Sequence, residues 1–207
     1  NLTKDPIAIE NEENEIVVIE PKNIIVSDDF DGSNEAIEEV AKKSSFKIES
    51  NTETQTIISA KIAYFSQSQV QMGDGNIYDR IELPSGLGVN IAEDGEPDLP
   101  VVTEELEIDE NTNLTLEIED IEWKELDKTY AVSPAQPPLP DLTTHGYQRP
   151  FIKNKNTYNK NTSLVKKPVR IISNYKVRDR SFSTLKFSPF NWNPQTKSLK
   201  VVKNIKF

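Results

Sequence analysis

The chain has 207 residues, 35% of them apolar and 28% charged, with a net charge of −10 and no cysteine. This length holds one generous domain or one domain with an extension, and the low apolar share assigns part of it to an extension outside a packed core. No run approaches the roughly 18 apolar residues that span a bilayer, and disulfides, thiolate metal sites and cysteine nucleophiles are excluded.

The first fifty residues are acid-rich and read as one short helix with up to two strands. Ser33 is placed to cap the helix, with Glu35, Glu38 and Glu39 in its first turns and Lys42 and Lys43 at its end, each charge suited to the helix dipole. The same stretch partly fits a calcium loop through Asp29, Asp31, Gly32 and Glu38. Ser27 stands where that loop needs aspartate and Asn34 where it needs an apolar residue, so an acidic helix start is the better reading and no metal is expected. The amino terminus, NLTKDPIAIE, lacks the regions of a signal peptide.

Beyond Thr56 the pattern is all-β. TIISAKIAYFS, IYDRIEL, LTLEIEDIEW, VRIISNY, SFSTLKF and SLKVVKNIKF are rich in β-branched and aromatic residues and are bounded by turn formers. MGDGN, from Met72 to Asn76, supplies Asp-Gly chemistry for a hairpin, and Asn193 with Pro194 opens another turn. In the last segment Leu199, Val201, Ile205 and Phe207 share one parity and hence one strand face. An antiparallel β-sandwich is expected over residues 56–207, preceded by an acidic extension over 1–55.

Between these strands SPAQPPLP, beginning at Ser133, is stiff, and the residues from Leu142 to Lys160 are polar and weakly patterned. The charge reverses here: residues 1–141 carry a net −24 and residues 142–207 a net +14. The basic residues of the second part are spaced through apolar alternation and form no blocks, which argues for two halves that pack together and against a nucleic-acid arm.

No catalytic set is present. His145 is the only histidine, it has no cysteine partner, and there is no GxSxG elbow, P-loop or GxGxxG. Paired acids such as Asp28 with Asp29 and Glu104 with Glu105 are ordinary in so acidic a chain. Neither enzymatic activity nor a cofactor is expected.

Three segments carry a family likeness. Gly95, Glu96, Pro97, Leu99 and Pro100 resemble a GxPxLP motif, Pro134 to Pro140 a P-A-Q-x-P motif, and Asn193, Pro194, Thr196, Lys197 and Leu199 a closing YNPxTKxLxV hairpin. In this order they resemble the amino-terminal prosegment of gingipain-type cysteine peptidases, with Trp192 where the family commonly has tyrosine. The resemblance covers roughly Thr56 to Phe207. It implies a curled, jelly-roll-like sandwich that assists folding of a downstream caspase-like catalytic domain and keeps it latent with a loop across the active-site cleft until proteolysis. It also implies an exported precursor, secreted or at the cell surface.

Residues 142–160 are the expected inhibitory loop, approached through Pro137, Pro138 and Pro140, which stiffen the backbone. Its basic residues are Arg149, Lys153, Lys155 and Lys160. Arg149 is the first candidate for the peptidase's specificity pocket, because Pro150 holds it extended and removes an N–H, so a substrate-like arginine is presented well and cut poorly. Lys153 is the second. A different reading makes the chain a sandwich module that binds glycans or proteins at a cell surface, with Trp123, Tyr130, Tyr147, Phe151 and Tyr158 as an aromatic platform. A third makes it a free-standing protease inhibitor.

Overall fold

The structure is a computed structural model describing residues 9–10, 16–28, 43–84, 86–109, 114–138 and 150–207. Its strands are β1 (Ile9–Glu10), β2 (Ile16–Ile25), β3 (Ser45–Asn51), β4 (Thr56–Lys61), β5 (Tyr64–Gln71), β6 (Ile77–Glu82), β7 (Val102–Ile108), β8 (Asp120–Thr129), β9 (Val169–Val177), β10 (Arg180–Phe187), β11 (Phe190–Trp192) and β12 (Ser198–Lys206). The single full helical turn among the described residues, α1 (Lys155–Tyr158), follows the proline run. The strand pairings are antiparallel and build three sheets, ordered β1-β2-β5-β6, β7-β10-β9 and β11-β12-β4-β3, with β8 also paired to β12. The all-β antiparallel sandwich expected from the sequence is the fold observed.

One core serves all three sheets: Phe65 and Ile81 come from the first, Leu185 and Phe187 from the second, and Ile58, Trp192, Leu199 and Val201 from the third. TIISAKIAYFS, read as one segment, is two strands. The chain turns from one sheet to another at Ile62 and Ala63, both buried, as sandwiches do at their corners. Ile62 N–H donates to Lys203 O and Ala63 O accepts from Val26 and Ser27, so the corner stays hydrogen-bonded.

The described strands of the stretch expected as an extension pair into the sheets. β2 pairs with β5 and β3 with β4, and Val26 is fully buried. Pro21 has no N–H for a ladder, and β2 absorbs it in a register shift between Ile19 and Lys22. Of the predicted acidic helix only Lys43 is described, in helical conformation; Ser33, Glu35, Glu38, Glu39 and Lys42, and Asp29, Asp31 and Gly32 of the partial calcium loop, lie outside the described residues.

LTLEIEDIEW is strand only from Asp120, because β12, its partner, ends at Lys206 opposite Asp120. β7 and β11 were not anticipated. Glu104, Glu105 and Glu107 disguise the alternation of VTEELEI, and three residues give β11 no readable period.

The charge reversal is answered by strand pairing. Acidic β7 lies beside β10 and acidic β8 beside β12, where Arg180 pairs with Glu107, Lys200 with Glu125, Lys203 with Asp28 and Glu122, and Lys206 with Glu119.

Candidate functional site

Residues 131–136 leave β8 and run between β6 and the turn at Gly95. Asp79 in β6 donates its N–H to Ala131 O at 2.7 Å and accepts at its carbonyl from Ser133 N at 3.0 Å. Its buried carboxylate accepts from Ala131 N at 2.6 Å and from Gln69 Nε2 at 3.1 Å, with Gln67 Nε2 closer still, so the charge is satisfied by three donors. On the other side Asp98 N donates to Ser133 O, Ala135 N to Glu96 O and Gly95 N to Ala135 O, at 2.7–2.8 Å. Pro97 and Pro134 face each other in this ladder, at a pair where neither needs the N–H it lacks.

The chain returns at Pro150 onto the same seat. Gln136 closes the gap with its side-chain amide: Oε1 accepts from Ile152 N at 2.9 Å and Nε2 donates to Ile152 O at 2.7 Å. Asn154 N donates to Gly95 O at 2.9 Å. Glu96 Oε1 accepts from Asn154 Nδ2 and from Thr157 Oγ1, and Asn154 Oδ1 caps α1. Tyr158 donates to Val132 O at 3.0 Å and packs edge-on against Trp192, whose indole donates to Tyr130 O at 2.9 Å.

Glycine is required where the returning stem comes closest. Gly95 has φ +82°, and a β-carbon there would lie 2.9 Å from Ile152 Cγ2 and 3.0 Å from Asn154 N. At Gly73, in the β5–β6 turn, a β-carbon would meet Phe151 Cβ at 3.0 Å.

The expected loop residues fall on and around this seat. Pro137 is half-buried, while Pro138 and Pro150 are exposed; Pro140 and Arg149 lie outside the described residues. Lys153 turns back onto the sandwich. Its Nζ donates to Tyr78 OH at 3.0 Å and sits 5.0 Å from the Tyr78 ring and 4.6 Å from that of Tyr158. Tyr78 OH donates in turn to Asp74 Oδ2 at 2.7 Å. Burial, and then the hydrogen bond to Asp74, push the Tyr78 phenol well above its ordinary range. Burial drives the Asp74 carboxyl up, but hydrogen bonds from Asn76 and Tyr78 outweigh it and hold the group low.

The described residues of the expected aromatic platform do not form one. Tyr130 is buried, Tyr158 packs edge-on against Trp192, Phe151 packs against Tyr78 and Trp123 is half-buried in β8; Tyr147, like His145, lies outside the described residues. Gln136, Glu96 and Asp79 carry the seat, and the sequence reading assigned them no role. The proximity of the motifs GEPDLP and SPAQPPLP to proline and glycine was the available signal. Among the described residues no helix is long and apolar enough to cross a membrane.

Residues 41–207 match the Propeptide_C25 family model. Among solved structures, the chain is similar to the complex of Porphyromonas gingivalis RgpB pro- and mature domains, at 20% identity and a TM-score of 0.66 over 78% of this chain and 81% of that one. It is also similar to a structure that addresses the zymogenic latency of gingipain K from Porphyromonas gingivalis, at 15% identity and a TM-score of 0.68 over 90% and 95%. No curated protein matches it.

Proposed function

The chain belongs to the Propeptide_C25 family, the prosegments of gingipain-type cysteine peptidases, and from that premise we propose that it keeps its own peptidase latent and assists its folding. As a propeptide without cysteine it is the non-catalytic part of a zymogen. The partner is the caspase-like catalytic domain of the same precursor, and the precursor is exported to the cell surface or beyond.

The observation that carries the proposal is the double fastening at Gln136 and Ile152, which returns the chain to one seat on either side of residues 139–149. A segment with both ends fixed loses less conformational entropy when it is laid across a cleft. Arg149 enters the specificity pocket, where a guanidinium meets a carboxylate bidentately, and Pro150 makes the following bond a poor substrate.

Mixing the chain with the catalytic domain and measuring peptidase activity tests both steps. Arg149→Ala weakens inhibition at least about tenfold, or about 1.4 kcal/mol. Unchanged inhibition removes Arg149 from the account, and a wild-type chain that neither binds nor inhibits removes the function.

A further inference from the structure

The returning stem is extended, and its alternate side chains do different work. Ile152 and Asn154 fasten the backbone to Gln136 and Gly95. Phe151 and Lys153 both face Tyr78 and so tie the stem sideways to the β5–β6 hairpin.

Phe151 contributes apolar contact, which does not specify position along the stem. The Lys153 ammonium does, because it must satisfy two ring faces and one phenol oxygen together. Tyr78 accepts from Lys153 and gives its own proton to Asp74; because an ammonium only donates, the chain Lys153, Tyr78, Asp74 runs in one direction.

We propose that Lys153 is a positioning residue: it locks the returning stem onto the β5–β6 hairpin, and it acts on peptidase inhibition through that stem without entering the peptidase. The first half concerns the chain alone. The second rests on the latency function proposed above.

Lys153→Met keeps the side-chain length and removes the charge, and Lys153→Arg restores a cation that stacks on aromatic faces. Hydrogen exchange of the free chain gives the first readout. Lys153→Met speeds exchange at the Ile152 and Asn154 amides about tenfold, leaves the Val202 and Phe207 amides unchanged, and is largely reversed in Lys153→Arg. Inhibition of the catalytic domain gives the second. Lys153→Met weakens it about fivefold through a less ordered stem, and adds no further loss in an Arg149→Ala background, as coupled residues do.

Unchanged exchange at both stem amides overturns the lock. A loss of inhibition that persists in full beside Arg149→Ala overturns the indirect action and places the ammonium in the peptidase. Should the wild-type chain not inhibit at all, the latency function falls and the exchange result alone decides the lock.

Discussion

Gly95 and Ile152 meet at a separation that leaves no room for a β-carbon, so the turn of one motif and the return of the proline-led loop are a single fitted joint. Two glycines with almost the same φ separate the cost of the conformation from the cost of the contact. Gly75 has φ +77° with open space around it. Its alanine variant loses only the backbone preference, about 1 kcal/mol. Gly95→Ala adds the displacement of Ile152 and Asn154 and loses about 2–3 kcal/mol. Urea unfolding of both variants measures the difference. Equal losses would mean that the stem yields freely.

Trp192 is the second test of the joint, because it supports Tyr158 from below. It is buried, and its indole N–H is the donor to Tyr130 O. Trp192→Ala opens a large cavity and costs about 3–5 kcal/mol. Trp192→Phe fills most of that space but leaves the carbonyl without its donor, for about 1–2 kcal/mol. Equilibrium unfolding ranks them, and a phenylalanine variant as unstable as the alanine one would refute the division.

Lys203 contributes to the acid limb of stability. Its hydrogen bond and charge hold the Asp28 and Glu122 carboxyls below their ordinary values, with Asn204 assisting at Glu122. Groups lowered in the folded state stabilise it above their unfolded values of 3.8 and 4.5, and that contribution is lost as the pH falls through the lowered native values. Lys203 is itself raised by Asp28 and Glu122, so its share is full below 10.5 and is lost only in stronger alkali. Asp98 has the opposite sign: burial raises its carboxyl, and the resulting penalty is relieved as the pH falls. In Lys203→Met the fall in stability below about pH 4.5 is shallower, while the Asp98 contribution is common to both proteins and cancels. Unfolding followed from pH 7 downward checks this, and identical acid limbs would exclude Lys203 as the cause.

What the sequence made legible was periodicity. Leu199, Val201, Ile205 and Phe207 are buried as their parity requires, yet Val202 is buried too. β12 has neighbours on both edges and a register shift after Val202, neither of which a single strand reports. The two hairpin turns were equally readable: Gly75 takes positive φ, and Asn193 Oδ1 accepts from Gln195 and Thr196. The joint itself was not readable. Glu96 and Asn154 are 58 residues apart, and each looks like an ordinary polar loop residue until the fold brings them together. Pro21 lacks the N–H that a regular ladder needs, and the register shift in β2 accommodates it.

The position of β12 has a consequence in time. β12 comes after every strand that attaches to it, β4, β8 and β11, and Lys203 reaches back 175 residues to Asp28. Among the described residues neither β8 nor β11 pairs with another strand. Contacts so distant along the chain close slowly, and these cannot begin to close until Ser198–Lys206 has been made. β8 and β11 therefore stay without a described strand partner until β12 is made, and the five-stranded sheet is the last of the three that can be completed.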